Sequence, residues 1–82
     1  MPYELEIKLE PMTVLKKLPP DVRREIGFRL HQLQHDFSGD VTKLRGSRNE
    51  YRLRVGSRRV LFELVGSRII VNAIGDRTDI YK

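Results

Sequence analysis

The sequence predicts an α+β domain: an N-terminal strand, a two-helix hairpin and then a three-stranded antiparallel meander, with the helices packed on one face of the sheet. Three observations point there. The first residues alternate apolar with polar, the period of a strand; the next stretch repeats apolar residues at helical spacing and is divided by Pro19-Pro20; and the tetrapeptide VGSR occurs twice, ten residues apart, around an apolar run. With 82 residues, 39% of them hydrophobic and 33% charged, the chain can bury a single core, so residues 1–82 are read as one domain.

In the first strand Tyr3, Leu5, Ile7 and Leu9 alternate with Glu4, Glu6 and Lys8. Glu10-Pro11 opens the first helix, because a proline in the first turn gives up an N–H that would have no partner, and Val14, Leu15 and Leu18 form its apolar stripe. Pro19-Pro20 must end it. A second helix starts at once: Pro20 suits the first helical position and Asp21 complements the positive end of the helix dipole. Val22, Ile26, Leu30, Leu33 and Phe37 recur at helical spacing, and Ser38-Gly39-Asp40 ends the helix. Gly27, inside it, should cost about 1 kcal/mol relative to alanine; close packing against the first helix is the expected reason for its presence. From Val41 to Asn49 the chain is polar and basic with Leu44 as its one strong apolar anchor, and it reads as a loop.

Tyr51 begins the meander. Glycine at the first central position followed by serine suits a two-residue type II′ turn, and apolar or β-branched residues flank both copies. The implied register sets Arg54 opposite Arg59, Leu53 opposite Val60, Tyr51 opposite Phe62, Phe62 opposite Val71, Val60 opposite Ala73 and Gly75 opposite Arg58. Tyr51, Leu53, Val55, Val60, Phe62, Leu64, Ile69, Val71 and Ala73 then face the helices. Arg52, Arg54, Arg59, Leu61, Glu63, Ile70, Asn72 and Ile74 take the other face.

Arg54 opposite Arg59, with Arg52 beside them, costs a few tenths to about 1 kcal/mol, so a role other than stability is expected: a polyanion site. The alternative is a solvated face relieved by Glu63. Leu61, Ile70 and Ile74 form an apolar strip that a protein partner would cover. Beyond Gly75, Arg77 and Tyr81 are expected near the same end of the sheet, where cations and an aromatic ring together can grip a phosphate and stack a base. Ile80 and Tyr81 as an apolar clip over the core is the competing reading.

Sixteen Lys and Arg against eleven Asp and Glu give a net charge of +5 and a pI near 10.0, which favours a polyanionic partner. The chain has no cysteine, in keeping with a reducing compartment. No run of apolar residues is long enough to span a membrane and the N-terminus lacks a signal-peptide pattern, so a cytoplasmic protein without membrane contact is expected. His31 and His35 stand four apart beside Asp36, but two ligands without a cysteine do not complete a metal set, and solvated helix residues are the better reading. There is no Ser-His-Asp set, phosphate-binding glycine loop or dinucleotide fingerprint; neither metal nor cofactor is expected.

Across its whole length the chain resembles the RelE/ParE superfamily of type II toxin-antitoxin toxins, most like the RelE-type mRNA interferases. MPYELEIKLEPMTVLKKLPPDVRREI resembles the family's strand-helix-helix opening, KLRG its loop, EYRLRVGSRRVLFEL its central hairpin and AIGDRTDIYK its closing motif. The resemblance implies a ribosome-dependent endoribonuclease that cuts mRNA in the A site, with the ribose 2′-OH as nucleophile and no metal. Its implied catalytic set is Arg52, Arg54, Arg59, Arg77 and Tyr81, with Lys43, Arg45, Arg48 and Asp76 binding substrate. Implied partners are a cognate antitoxin, the ribosome with its mRNA, and operator DNA through the antitoxin complex.

Two departures bear on the chemistry. Lysine is common in RelE toxins where this chain has Arg52 and Arg54, and arginine, which stays protonated, is a poor general base. Many relatives have histidine before the closing arginine, where Asp76 stands; a carboxylate there could act as base or pair with Arg77. Two other readings stay open: a ParE-like toxin that poisons DNA gyrase without cutting RNA, and an inactive relative that binds only its antitoxin and operator.

Overall fold

A computed structural model describes residues 2–76. The elements are β1 (Glu4–Ile7), α1 (Leu9–Lys17), α2 (Pro20–Asp36), β2 (Val41–Lys43), β3 (Glu50–Val55), β4 (Arg58–Val65) and β5 (Arg68–Asp76). They build one five-stranded sheet in the order β1-β5-β4-β3-β2, in which β1 runs parallel to β5 and every other neighbour is antiparallel. The expected α+β architecture is observed, and Ile26, Leu30 and Leu33 of α2 are buried with the apolar residues of the sheet in a single core. Among the described residues no helix is long and apolar enough to cross a membrane.

Both helices start as the prolines require. Pro11 sits buried in the first turn of α1, and Pro20 opens α2 at its first position. Glu10 and Asp21 lie at the positive ends of the two helix dipoles, while Lys16 and Lys17 lie at the negative end of α1. α2 ends at Phe37, the one non-glycine among the described residues with a positive φ, 58°. The left-handed conformation costs a bulky residue about 1–2 kcal/mol. It is offset by the ring, which lies 5.3 Å from Tyr3, 5.4 Å from Tyr51 and 5.8 Å from Phe62, centroid to centroid, within the favourable range for aromatic pairs.

Gly27 does not have the expected packing role. It is exposed, and a Cβ added there would meet no atom within 4 Å. Gly27→Ala should therefore stabilise the fold by about 0.5–1 kcal/mol by restricting the unfolded chain and restoring helix propensity. Thermal unfolding with an unchanged circular dichroism spectrum is the check; a lower Tm would show a constraint that the helix surface does not reveal.

Both VGSR segments are hairpin turns. Gly56 and Gly66 have φ of 62° and 61°, while the serines after them keep negative φ, the pattern of the type II′ turn. The β3–β4 register is as expected, with Tyr51 opposite Phe62, Leu53 opposite Val60 and Arg54 opposite Arg59. The β4–β5 register is not. It starts with Leu64 opposite Ile69 and Phe62 opposite Val71, then shifts between Leu61 and Phe62, so that Leu61 meets Ala73, Val60 meets Ile74, Arg59 meets Gly75 and Arg58 meets Asp76. Asn72 is the extra residue of a β-bulge.

The physical reason lies in the core. Uninterrupted alternation would bury Ala73 and leave Ile74 in solvent; the bulge exchanges them, so that Ile74 is only 6% exposed. Burying the larger side chain removes more apolar surface from water, at about 25 cal/mol per Å². The apolar strip on the opposite face consequently loses Ile74 and consists of Leu61, Ile70 and Ala73, each half-buried.

The expected loop from Val41 to Asn49 also contains a strand. Val41, Thr42 and Lys43 pair with Leu53, Arg52 and Tyr51, making β2 the sheet's edge opposite β1. At three residues it is too short for alternation to announce it, and it forms because β3 offers unpaired backbone groups that Val41 can join from the row of buried Leu53.

Candidate functional site

On the sheet face away from the core, strand pairing assembles a cationic row. Arg54 of β3 stands directly opposite Arg59 of β4, and Gly75 of β5 completes the row without a side chain. The next row holds Thr42, Arg52, Leu61 and Ala73. Beyond it, Glu50 stands opposite Glu63. The face is thus graded from two arginines at one end to two carboxylates at the other, with the half-buried Arg52 between them.

Arg59 and Arg54 differ sharply in surroundings. Arg59 is only 7% exposed, and among the described residues it forms no ion pair; its Nη1 donates to the carbonyl of Arg58 at 3.3 Å. A buried cation without a counter-ion is costly unless a ligand supplies the charge. Arg54 is instead held by Asp40. Its Nε donates to Oδ2 of Asp40 at 2.7 Å, and its backbone N–H donates to the Asp40 carbonyl at 3.0 Å. Asp40 was legible in the sequence only as part of a helix-ending turn, and it relieves the arginine pair in the role expected of Glu63. Glu63 instead accepts from Nδ2 of the bulge residue Asn72 at 3.5 Å, leaving Oδ1 of Asn72 buried without a hydrogen-bond partner among the described residues.

The Arg54–Asp40 pair is roughly half exposed on both sides, so it adds at most about 1 kcal/mol to stability. Its larger effect is on charge. Asp40→Asn should raise affinity for single-stranded RNA and steepen its salt dependence by about one counter-ion, because Arg54 becomes available to a phosphate. Binding isotherms across a salt series measure this; an unchanged slope would mean that Arg54 does not reach the RNA.

Strand pairing brings together three of the sequence-derived site residues, Arg52, Arg54 and Arg59. It does not bring Lys43 or Asp76 to them. Lys43 pairs with Tyr51 and so shares the row of Phe62 on the core-facing side, and Asp76 stands opposite Arg58, outside the row of Arg59. Arg45 and Arg48 are exposed in the segment between β2 and β3. Arg77 and Tyr81 lie outside the described residues. His31 and His35 are on α2 with His35 exposed beside Asp36, whose carboxyl is lowered in pKa chiefly by hydrogen bonding from Ser38. Among the described residues no three His, Cys, Asp or Glu side chains are grouped to hold a metal ion.

No family model matches the sequence. A curated relative does: toxin RelE3 of Methanocaldococcus jannaschii is 33% identical over 72 residues, an alignment spanning 82% of this chain and 82% of the relative. The chain belongs to the RelE toxin family. The solved RelB-RelE antitoxin-toxin complex of Methanococcus jannaschii contains a chain with the same fold, with a TM-score of 0.79 at 28% identity, covering 94% of this chain and 95% of that one. The RelE-RelB complex of Pyrococcus horikoshii OT3 gives a TM-score of 0.83 at 24% identity over 96% and 99% of the two chains, a likeness of fold. This agrees with the family resemblance carried by the sequence motifs. In the RelE frame the arginine row lies on the face that the two helices leave uncovered.

Proposed function

We propose that this RelE-family chain is the toxin of a type II toxin-antitoxin system and cuts mRNA in the ribosomal A site. The observation that carries the reading is Arg59: a buried guanidinium without an ion pair among the described residues, flanked across the strands by Arg54 and by Gly75, which adds no side chain. The cost of keeping such a cation is offset when a phosphate docks on it.

In the proposed reaction the ribose 2′-oxygen attacks the adjacent phosphorus and the bond to the 5′-oxygen breaks, leaving a 2′,3′-cyclic phosphate and a 5′-hydroxyl. The 2′-hydroxyl proton passes to a base, and the departing 5′-oxygen gains one. The substrate supplies its own nucleophile, so the protein's task is to orient the bond and stabilise the charge that grows on the phosphorane. Arg59 and Arg52 serve that charge, with Arg54 joining once Asp40 releases it. Arg77 would add a further cation and Tyr81 a stacking surface. Arg45 and Arg48 extend the contact along the RNA. The antitoxin would cover the half-buried Leu61, Ile70 and Ala73 on the same face and carry the pair to operator DNA.

The test is a cell-free translation reaction in which new mRNA ends are mapped, with naked mRNA as control. Ends confined to translated codons are expected. Equal cutting of naked mRNA would remove the ribosome from the reading, and no cutting by folded protein would remove the nuclease.

A second reading, a family member that binds its antitoxin without cleaving RNA, is favoured by one observation. Asp76, which stands where relatives have histidine, lies opposite Arg58 in the strand register and is not in the arginine row. This reading expects no new mRNA ends from wild type or Asp76→Asn in the translation reaction, whereas cleavage by the wild type that is lost in Asp76→Asn would make that carboxylate part of the chemistry.

A further inference from the structure

Arginine stays protonated, so Arg52, Arg54 and Arg59 can stabilise a phosphate but none of them can take the proton of the 2′-hydroxyl. The sheet register supplies a carboxylate beside them. β2 pairs Val41 with Leu53 and Thr42 with Arg52, so the ladder carried one residue further sets Asp40 opposite Arg54. The Arg54 N–H that donates to the Asp40 carbonyl at 3.0 Å is its last rung. Thr42 shares the outward row of Arg52, and Asp40, two residues before it, belongs to the same face. Across the sheet the row therefore runs Asp40, Arg54, Arg59, Gly75. Oδ2 of Asp40 is turned along it, accepting from Nε of Arg54 at 2.7 Å, and the carboxylate is roughly half exposed, open to a substrate.

The other acids of the sheet strands among the described residues are badly placed for that task. Glu50 and Glu63 stand two rows away, and on β3 the four residues from Arg54 to Glu50 span about 13 Å. Asp76 is opposite Arg58, outside the row. His31 and His35 belong to α2, on the covered side of the sheet.

We infer that Asp40 is the general base of the cleavage reaction; the inference deepens the nuclease reading and rests on it. Two strand spacings, about 10 Å, separate the backbones of Asp40 and Arg59, room for their side chains on either side of one phosphodiester and its 2′-hydroxyl. The phosphate oxygens draw the N–H groups of Arg54, and Oδ2 of Asp40 is released toward the hydroxyl. Asp40 takes the hydroxyl proton as the 2′-oxygen forms its bond to phosphorus and the bond from phosphorus to the 5′-oxygen breaks. The 5′-oxygen takes a proton from solvent water, Asp40 returns its own to solvent, and the protein ends unchanged. The same carboxylate thus holds Arg54 in the free chain and serves as base once RNA has claimed the guanidinium.

The test is single-turnover cleavage of mRNA on programmed ribosomes, with affinity for single-stranded RNA and circular dichroism measured on the same preparations. Asp40→Asn keeps an oxygen for Nε of Arg54 but takes no proton. It should cleave about 100-fold or more slowly than wild type, the usual contribution of a general base, while binding RNA at least as tightly. Asp40→Ser, which also lacks a base, should behave in the same way, and either variant decides the matter if the other does not fold. A base acts without Arg54, so in an Arg54→Ala background Asp40→Asn should again slow cleavage by about 100-fold or more.

A wild-type rate in folded Asp40→Asn or Asp40→Ser overturns the proposal, as does a loss of RNA affinity that accounts for the slower cleavage. So does a loss that disappears in the Arg54→Ala background, which would make Asp40 a positioning residue for Arg54. The wild type scores the nuclease reading separately: cutting by wild type and Asp40→Asn alike loses only this inference, and a wild type that cuts no translated mRNA loses both.

Discussion

Replacing Arg59 with alanine should lower mRNA cleavage in the translation reaction by two to three orders of magnitude, roughly the 2.7–4 kcal/mol that one well-placed donor to a developing oxyanion contributes. The argument is one of placement. Arg59 is 7% exposed, lies opposite Arg54 and has no ion pair among the described residues, which in the proposed reading places its charge for a phosphate. The same geometry sets the sign of a second readout. A buried cation that no carboxylate meets among the described residues opposes folding, so Arg59→Leu should keep or raise Tm while activity is lost. Arg59→Lys keeps the charge but not the planar fork, and an intermediate rate is expected. Cleavage rates and thermal unfolding on the same preparations decide it. Full cleavage by Arg59→Ala would move the site elsewhere on the sheet, whereas a large fall in Tm would make Arg59 a structural residue.

Phe62→Ala should destabilise the domain by about 3–5 kcal/mol, the usual cost of removing a buried aromatic ring. Phe62 is 1% exposed on β4, the central strand of the sheet, stacked on Tyr51 with a centroid distance of 5.4 Å and met edge-on by Phe37 at 5.8 Å. Its loss opens a cavity and also removes one of the contacts that offset the left-handed backbone of Phe37. For a domain of this size each kcal/mol moves Tm by about 4–8 °C, so a fall of more than about 12 °C is expected. Calorimetry checks this. A fall of only a few degrees would mean that the core closes around the missing ring, and that the Phe37 conformation is supported by Tyr3 and Tyr51 alone.

Legibility tracked the range of the interaction that decides each feature. The type II′ turns at Gly56 and Gly66, the starts of both helices at Pro11 and Pro20, and the Arg54–Arg59 opposition could be read because each follows from neighbouring residues. The strand at Val41–Lys43 could not, since three residues carry no period and their backbone groups find partners only on the distant β3. Asp40 was likewise hidden: nothing local distinguishes a helix-ending aspartate from one that also holds Arg54, fourteen residues away. Gly27 shows the opposite failure, a local irregularity for which the structure supplies no packing reason.

By itself the sequence determined the strand-helix-helix-meander order, the single core, the RelE kinship carried in its motifs and the gathering of Arg52, Arg54 and Arg59 on one sheet face. Periodicity, turn chemistry and proline placement are properties of short segments, and they survive folding unchanged. Only the tertiary structure decided the bulge at Asn72, and with it the burial of Ile74 and the register that sets Asp76 opposite Arg58. A strand's alternation has two equivalent phases, and which one applies beyond the bulge depends on whether the core is better filled by Ala73 or by Ile74. That comparison exists only once α1, β4 and β5 are packed together, so no local reading of the last strand could make it.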